Sequence, residues 1–538
     1  MGFAKVHSGQ TRFLAGQIID IEIDLSRGLH AFSVVGLGDK AIEEARDRIS
    51  AAIKNSGFRS PKYKNQKVVI SLAPADVRKA GPAFDLAMAI GYLLAAGEIR
   101  FTAREKLFLG ELSLDGRLRP ISGALAIVAE AKRLGFREIF LPKENAREAA
   151  LIQDVKIFGA QSLAEVIGHV DEEFSREKSG PVHSARLVEE ASLSAESLAL
   201  LEATDSDSTN SGDEIYLEEI KGQESAKRAL EIAAAGGHNI LFVGPPGAGK
   251  TMLAKTLKTI LPPLSFEESL EVTAIHSVAG AFLHAENFTG QNRSPIFTIR
   301  PFRSPHHTSS YIAIAGGGTH PKPGEMTLAH HGILFLDEFP EFDRRVIEAL
   351  REPLEEHRVS ISRIKGSVVF PAYFMLVAAM NPCPCGYAKS ENKNCICTLK
   401  DKSRYTKKIS GPILDRIDLR IEVGEIDFRK IKVNTNTDTK TETQKARERI
   451  AAARGRQLAR QSKINAYIAG RDLAKLAPIE KVAEEKLIEF GDKLGLSMRA
   501  FHRTWRVART IADLDDEKFI KERHVLEALQ FRGEEDDG

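Results

Sequence analysis

Residues 239–251 read Asn-Ile-Leu-Phe-Val-Gly-Pro-Pro-Gly-Ala-Gly-Lys-Thr. An apolar run, Ile240 to Val243, feeds a glycine-rich turn, and helix-like spacing starts at Lys250. The turn fits G-x-x-x-x-G-K-[ST], with Gly244, Gly249, Lys250 and Thr251 at the fixed positions. A strand that breaks into such a turn and resumes as a helix points successive backbone N–H groups at a polyphosphate. Pro245, Pro246, Gly247 and Ala248 complete the cradle. Lys250 is expected to reach the β- and γ-phosphates and the Thr251 hydroxyl to ligate Mg2+. ATP and Mg2+ are the cofactors this implies.

A second apolar strand, residues 332–336, ends in Asp337-Glu338. An acidic pair at the end of a buried parallel strand lies beside a phosphate loop in this class of α/β fold. Asp337 is expected to hold Mg2+ through its water shell, and Glu338 to orient and deprotonate the attacking water. A third run, Met375 to Ala379, leads into Met380-Asn381. Asn381 is placed to contact the γ-phosphate or the water from between the other two strands. Downstream, Arg416 sits in the short polar turn of residues 410–418. An arginine there can reach a neighbouring subunit's nucleotide, a contact typically worth roughly 10³–10⁵ in rate in related NTPases. Arg499, Arg503 and Arg506 share one helix face by i, i+4, i+7 spacing; a solvated basic face is the alternative for the last two.

The chain has 538 residues, enough for about three domains. Residues 1–170 alternate strand-like and helix-like segments. Gln17 to Leu25 alternates apolar and polar residues as a half-buried strand does, and Lys40 to Asn55 and Ala83 to Ala96 carry helical periodicity. Residues 171–213 are rich in Ser, Glu and Asp and read as a flexible linker. An α/β ATPase core is expected over 214–433, a helical lid over 434–532, and an acidic tail over 533–538. Net charge is only +2, so any nucleic-acid contact must come from local basic patches. The N-terminus shows no signal-peptide core, and the most apolar stretch, about 86–96, is too short to span a bilayer; a cytoplasmic protein with no membrane partner is expected.

All four cysteines lie close together, as Cys383-Pro-Cys385 and Cys395-Ile-Cys397. Four thiolates so clustered can supply a tetrahedral Zn2+ site, although the pairs are C-x-C rather than the commoner C-x-x-C; free thiols are the alternative.

The motifs at 244–251, Leu-Asp-Glu at 336–338, Asn381, Leu-Asp-Arg at 414–416 and Ser-Met-Arg at 497–499 resemble Walker A, Walker B, sensor 1, arginine finger and sensor 2 of an AAA+ ATPase. Arg-Pro-Phe-Arg-Ser-Pro-His-His at 300–307, Asn-Pro-Cys-Pro-Cys-Gly at 381–386 and Val-Ala-Arg-Thr-Ile-Ala-Asp-Leu at 507–514 narrow the resemblance to the Mg-chelatase-like family of the ComM and YifB competence proteins. The resemblance covers nearly the whole chain. It implies a P-loop AAA+ α/β core with a C-terminal helical lid, and catalytic roles for Glu338, Asn381, Arg416 and Arg499. It also implies a homo-hexamer that moves on single-stranded, double-stranded or branched DNA. The activity implied is branch migration in homologous recombination and natural transformation, with recombination proteins as further partners. By the same resemblance, residues 358–370 look like the β-hairpin that precedes sensor 1 in chelatases and MCM helicases. Arg363 and Lys365 near its tip are candidate DNA-phosphate contacts, with Arg300, Arg303, His306 and His307 as a second set. Lys445, Arg447, Arg449, Arg454, Arg456 and Arg460 make a third basic region. No interleaved aromatics accompany these stretches, so backbone contact rather than base stacking is expected.

Residues 1–170 resemble the α+β proteolytic domain of the Lon family, best over residues 79–85 and from 110–112 through 142–146. Where that family carries its nucleophilic serine this chain has Ala83, and Leu125 stands at the position of the catalytic lysine. A Ser-Lys dyad needs both groups, so no peptidase activity is expected. Two other readings stay open at this point: a magnesium-chelatase-type metal-insertion ATPase, and a Lon-like ATP-dependent protease relative.

Overall fold

The computed structural model describes residues 2–36, 40–63, 65–74, 79, 81–171, 214–280, 296–318, 321–363, 366–388, 390, 393–425 and 441–532. The expected linker beyond Asp171, the acidic tail and Lys365 lie outside the described residues. The chain folds as two compact units. One combines Met1–Asp205 with Phe266–Thr298; the other combines Ser206–Ser265 with Ile299–Gly538.

The first unit is built on a seven-stranded mixed sheet. Its order is Ala31–Val35, Gln66–Ala73, Ala15–Arg27, Gly2–Arg12, Lys106–Phe108, Glu138–Pro142 and Lys156–Ala160. The alternation read over Gln17 to Leu25 is realised: Ile19, Ile21, Ile23 and Leu25 are buried on one face of the strand Ala15–Arg27. Helices Lys40–Asn55 and Asp85–Ala95 supply the other side of that core. The second packs so closely that a Cβ on Gly91 would stand 2.3 Å from Ile23 Cδ1.

Residues 266–298 lie in sequence within the expected ATPase core, yet in space they cluster with this first unit. The helix Phe266–Val278 has Leu270 and Ala274 packed against a small cluster of Leu125, Leu151 and Ile296. The Gly123 amide donates to the Ser277 carbonyl at 3.1 Å. Leu125 thus works as a buried apolar anchor.

The second unit holds a five-stranded sheet in the order Phe302–Arg303, Ile333–Leu336, Met375–Met380, Ile240–Val243 and Leu419–Glu422. Every neighbouring pair is parallel. Both faces are covered, which is why these strands read as unbroken apolar runs rather than alternating ones. The helices Glu442–Gln461, Met498–Leu514 and Glu522–Gln530 share one hydrophobic core with the sheet: Ile450, Val507 and Val525 belong to the same cluster as Ile240, Phe242 and Val377. The region expected as a lid is therefore fused to the sheet through common burial. A two-stranded hairpin, Arg358–Arg363 with Gly366–Pro371, stands outside the main sheet, in register from Arg358↔Pro371 to Arg363↔Gly366. Among the described residues no helix is long and apolar enough to cross a membrane.

Candidate functional site

The sheet order explains the site. Strand Met375–Met380 lies between Ile240–Val243 and Ile333–Leu336. The three loops at their C-terminal ends therefore converge, as they do wherever parallel strands present their ends to a ligand. A cleft there is lined by residues 246–252 together with Asp337, Glu338, Met380 and Asn381. Gly249 adopts φ 85°, a left-handed conformation that favours glycine, and it starts the helix Lys250–Ile260 directly from the loop.

Lys250 is buried, and its ammonium donates to the carbonyls of Gly244 at 2.6 Å and Pro245 at 2.9 Å and to Asn381 Oδ1 at 3.1 Å. Burial draws its pKa below the usual lysine value, while Asp337 and Glu338 oppose that shift. The Thr251 hydroxyl donates to Asp337 Oδ2 at 2.8 Å, so two oxygens suited to Mg2+ already face each other across the cleft. Asp337 Oδ1 accepts from the Glu338 amide at 2.9 Å. Glu338 itself has φ 51°, a conformation that costs a non-glycine residue energy and that clusters at functional sites.

Glu338 has a partner that motif reading does not supply. His307 Nδ1 lies 3.2 Å from Glu338 Oε2. The register accounts for it: Arg303 pairs with Leu334 in parallel strands, so residues four further along each chain meet at the same end of the sheet. Arg416 and Arg499 are also brought together, though away from the cleft. Both reach Glu355 Oε1, at 2.6 Å and 3.3 Å. Burial raises the Glu355 pKa, but Arg416, Arg499 and Arg503 outweigh it and hold the carboxyl below its ordinary range. The Arg416 side chain is only 6% exposed and that of Arg499 61% exposed.

The other basic candidates are largely committed inside the chain. Arg300 donates to the carbonyls of Pro262, Pro263 and His331, at 2.7, 3.1 and 2.7 Å. Arg303 forms a two-point pair with Glu325 at 2.5 and 2.8 Å. The third basic region bolts helix Glu442–Gln461 to its neighbours. Arg454 binds the Ala234 carbonyl, Arg449 pairs with Glu231, and Arg460 takes both oxygens of Asp513 at 2.8 Å. Arg503 pairs with buried Asp418 at 2.7 Å. In the hairpin, the Arg363 side chain and Lys365 lie outside the described residues.

In the first unit, Ala83 offers no hydroxyl, and Leu125 is buried. Two carboxyls of this unit are buried. Asp85 is buried and pairs with Arg48 at 2.9 Å; burial, opposed by Arg48, lifts its pKa to about 6. Glu148 is buried, accepts from Asn145 Nδ2 at 2.7 Å and faces Ser277; burial lifts its pKa to about 7.

Comparison with known proteins agrees with this geometry. The family model of magnesium chelatase, subunit ChlI, matches residues 216–431. A model of subunit ChlI of Mg-chelatase matches 21–145, and one of its C-terminal part matches 440–532. Competence protein ComM of Haemophilus influenzae is 39% identical over 534 residues, covering 99% of this chain and 98% of that protein. The uncharacterized protein YifB of Salmonella typhimurium is 40% identical over 538 residues, covering 99% and 97%. Lon protease of Finegoldia magna is 30% identical over 166 residues, 29% of this chain and 21% of that protein. The nucleotide loop, the parallel sheet and full-length similarity to ComM and YifB place the chain in one group: it belongs to the ComM and YifB family of AAA+ proteins with magnesium-chelatase-type domains.

Proposed function

We propose that this chain is an ATP-hydrolysing motor that assembles as a hexameric ring and moves DNA, driving branch migration in recombination and natural transformation. The observation that carries the nucleotide half is the convergence of Lys250, Thr251, Asp337, Glu338 and Asn381 on one cleft. The DNA half rests on near-complete coverage by a relative named as a competence protein.

Bound ATP with Mg2+ supplies the γ-phosphoryl group and the charge that activates it. The chain's own residues do the rest. The loop amides and Lys250 neutralise phosphate charge; Lys250 exchanges its carbonyl partners for phosphate oxygens. Thr251 and Asp337 hold the metal. Glu338, once free of His307, takes the proton of the attacking water, and Asn381 orients that water. Arg416 is held on Glu355 in the single chain, so its role as a finger on a neighbouring subunit requires release of that pair on ring assembly. Arg499 shares the same carboxylate and would be freed with it. The hairpin Arg358–Pro371, with Arg363 and Lys365, is the DNA-gripping element, and Arg300 and Arg303, which now pair within the chain, form the second candidate contact. The Lon-like unit serves as a scaffold without peptidase chemistry.

The discriminating measurement is ATPase rate with and without a Holliday-type junction, with particle mass determined in the same buffer. Stimulation by the junction together with a mass near six chains supports the motor. ATP turnover indifferent to every DNA form would sink the DNA assignment and favour a metal-insertion motor.

A further inference from the structure

The loop after strand Met375–Met380 contains all four cysteines of the chain. Its described residues bury little apolar surface. Of the described residues between 381 and 397, only Cys383 and Gly386 are buried, and Ile396 is 86% exposed. A segment that buries so little cannot offset its own conformational entropy through the hydrophobic effect.

The four sulfurs lie within 4.8 Å of one another. Cys383 Sγ is 3.3 Å from Cys385 Sγ and 3.7 Å from Cys395 Sγ; Cys385 Sγ is 3.6 Å from Cys395 Sγ. A disulfide would need about 2.05 Å, and all four thiols are free. A tetrahedron with metal–sulfur bonds of about 2.3 Å has edges of about 3.8 Å, which is the scale of these separations. Backbone amides already point at the sulfurs, those of Gly386 and Ala388 at Cys383 and those of Tyr387 and Ile396 at Cys385. Such N–H···S contacts stabilise thiolate charge. The Lys393 ammonium, 3.3 Å from Tyr387 Oη, adds a cation to the same loop.

We propose that Cys383, Cys385, Cys395 and Cys397 bind one Zn2+ as a closed tetrathiolate site that braces the sensor loop of the ATPase. Four thiols release four protons as the ion binds, leaving a net charge of −2. Four soft ligands with no open position suit structural Zn2+ rather than Mg2+ or a catalytic metal. The bracing follows from position. Cys383 lies two residues after Asn381, whose Oδ1 accepts from Lys250. Gly386, at φ 87°, passes so close to the phosphate loop that a Cβ there would stand 2.7 Å from Pro246 Cδ. The site thus holds the loop that carries Asn381 against Pro246. This inference does not depend on whether the motor acts on DNA.

The test is metal analysis of the full-length protein, expressed with zinc in the medium and purified without chelator. The expected content is about one zinc per chain, falling to a small fraction in Cys385→Ser and in Cys397→Ser. If those variants fail to fold, Co2+ added to chelator-stripped, reduced wild type should give the intense visible bands of tetrahedral cobalt with thiolate charge transfer. Stripping the metal should also raise amide exchange over residues 381–397 and remove most ATPase activity. Less than about a tenth of a zinc per chain, with no tetrahedral cobalt spectrum, overturns the site. So does iron in place of zinc, or zinc retained by both serine variants. Unchanged exchange and ATPase after stripping overturns the bracing.

Discussion

Replacing Glu148 by glutamine should stabilise the first unit, increasingly so as pH rises from about 4.5 to about 7. The carboxyl is buried between Asn145 and Ser277, with no cation among the groups that set its titration. Burial lifts its pKa from 4.5 to about 7. An acid whose folded pKa is raised contributes most stability below its unfolded pKa, and that contribution is lost as pH rises through the folded value. The window therefore runs from about pH 4.5 to about pH 7. A shift of that size corresponds to about 3 kcal/mol, an upper figure because local opening and water entry relieve part of it. Glutamine keeps the shape and the Asn145 contact but can never ionise. Thermal unfolding of wild type and Glu148→Gln, followed from pH 5 to pH 8.5, should show a gap in favour of the variant that widens with pH and levels off above pH 7. A variant that is equally destabilised at every pH would refute the reasoning, because the carboxyl would then be a hydrogen-bonding group rather than a buried charge.

At the cleft, Lys250→Ala should abolish nucleotide binding, whereas Glu338→Gln should bind ATP normally and lose turnover; near-normal hydrolysis by the latter would remove Glu338 as base. His307→Ala should raise basal kcat with little change in KM, since it frees the carboxylate now held at 3.2 Å; a fall in kcat would show that the imidazole positions the base instead. Mixing Arg416→Ala with Lys250→Ala subunits should restore part of the ATPase, because one class of interface then holds both intact groups; a mixture as inactive as its parts, under conditions of subunit exchange, argues against action between subunits. Lys365→Ala should keep basal ATPase and ring assembly but lose most branch migration, and junction migration at the wild-type rate would show that the hairpin tip is not the coupling element.

The nucleotide cleft was legible because its signals are local. A glycine-rich turn after Ile240–Val243 and an acidic pair after Ile333–Leu336 each declare themselves within a few residues, and unbroken apolar runs mark buried parallel strands. The contact between His307 and Glu338 was not legible, because it depends on a two-residue strand, Phe302–Arg303, too short to show any periodicity. The partners of the arginines were hidden for a related reason. Arg300, Arg303, Arg449 and Arg454 look like phosphate ligands in sequence, yet their acceptors are carbonyls and carboxylates at Pro262, His331, Glu325, Glu231 and Ala234, which no local reading can place beside them. Charge runs record the presence of cations; only the fold shows which anions or carbonyls they meet. The place of residues 266–298 was hidden too, since the partners of Ile296 and Ser277 lie more than a hundred residues upstream.

That last feature bears on how the polypeptide matures. During synthesis the first unit emerges early, and an N-terminal domain ordinarily folds as soon as it is out of the ribosome. Here Leu125 and Leu151 lack the Leu270, Ala274 and Ile296 side of their cluster, and the Gly123 amide and the Glu148 carboxyl lack Ser277, until residues 266–298 have been made. At ordinary elongation speed, the interval between residue 171 and residue 298 is on the order of ten seconds. For that time the nascent chain carries an incomplete apolar surface. The phosphate loop is translated within the same interval, so the first unit cannot finish folding until the heart of the motor has already left the ribosome.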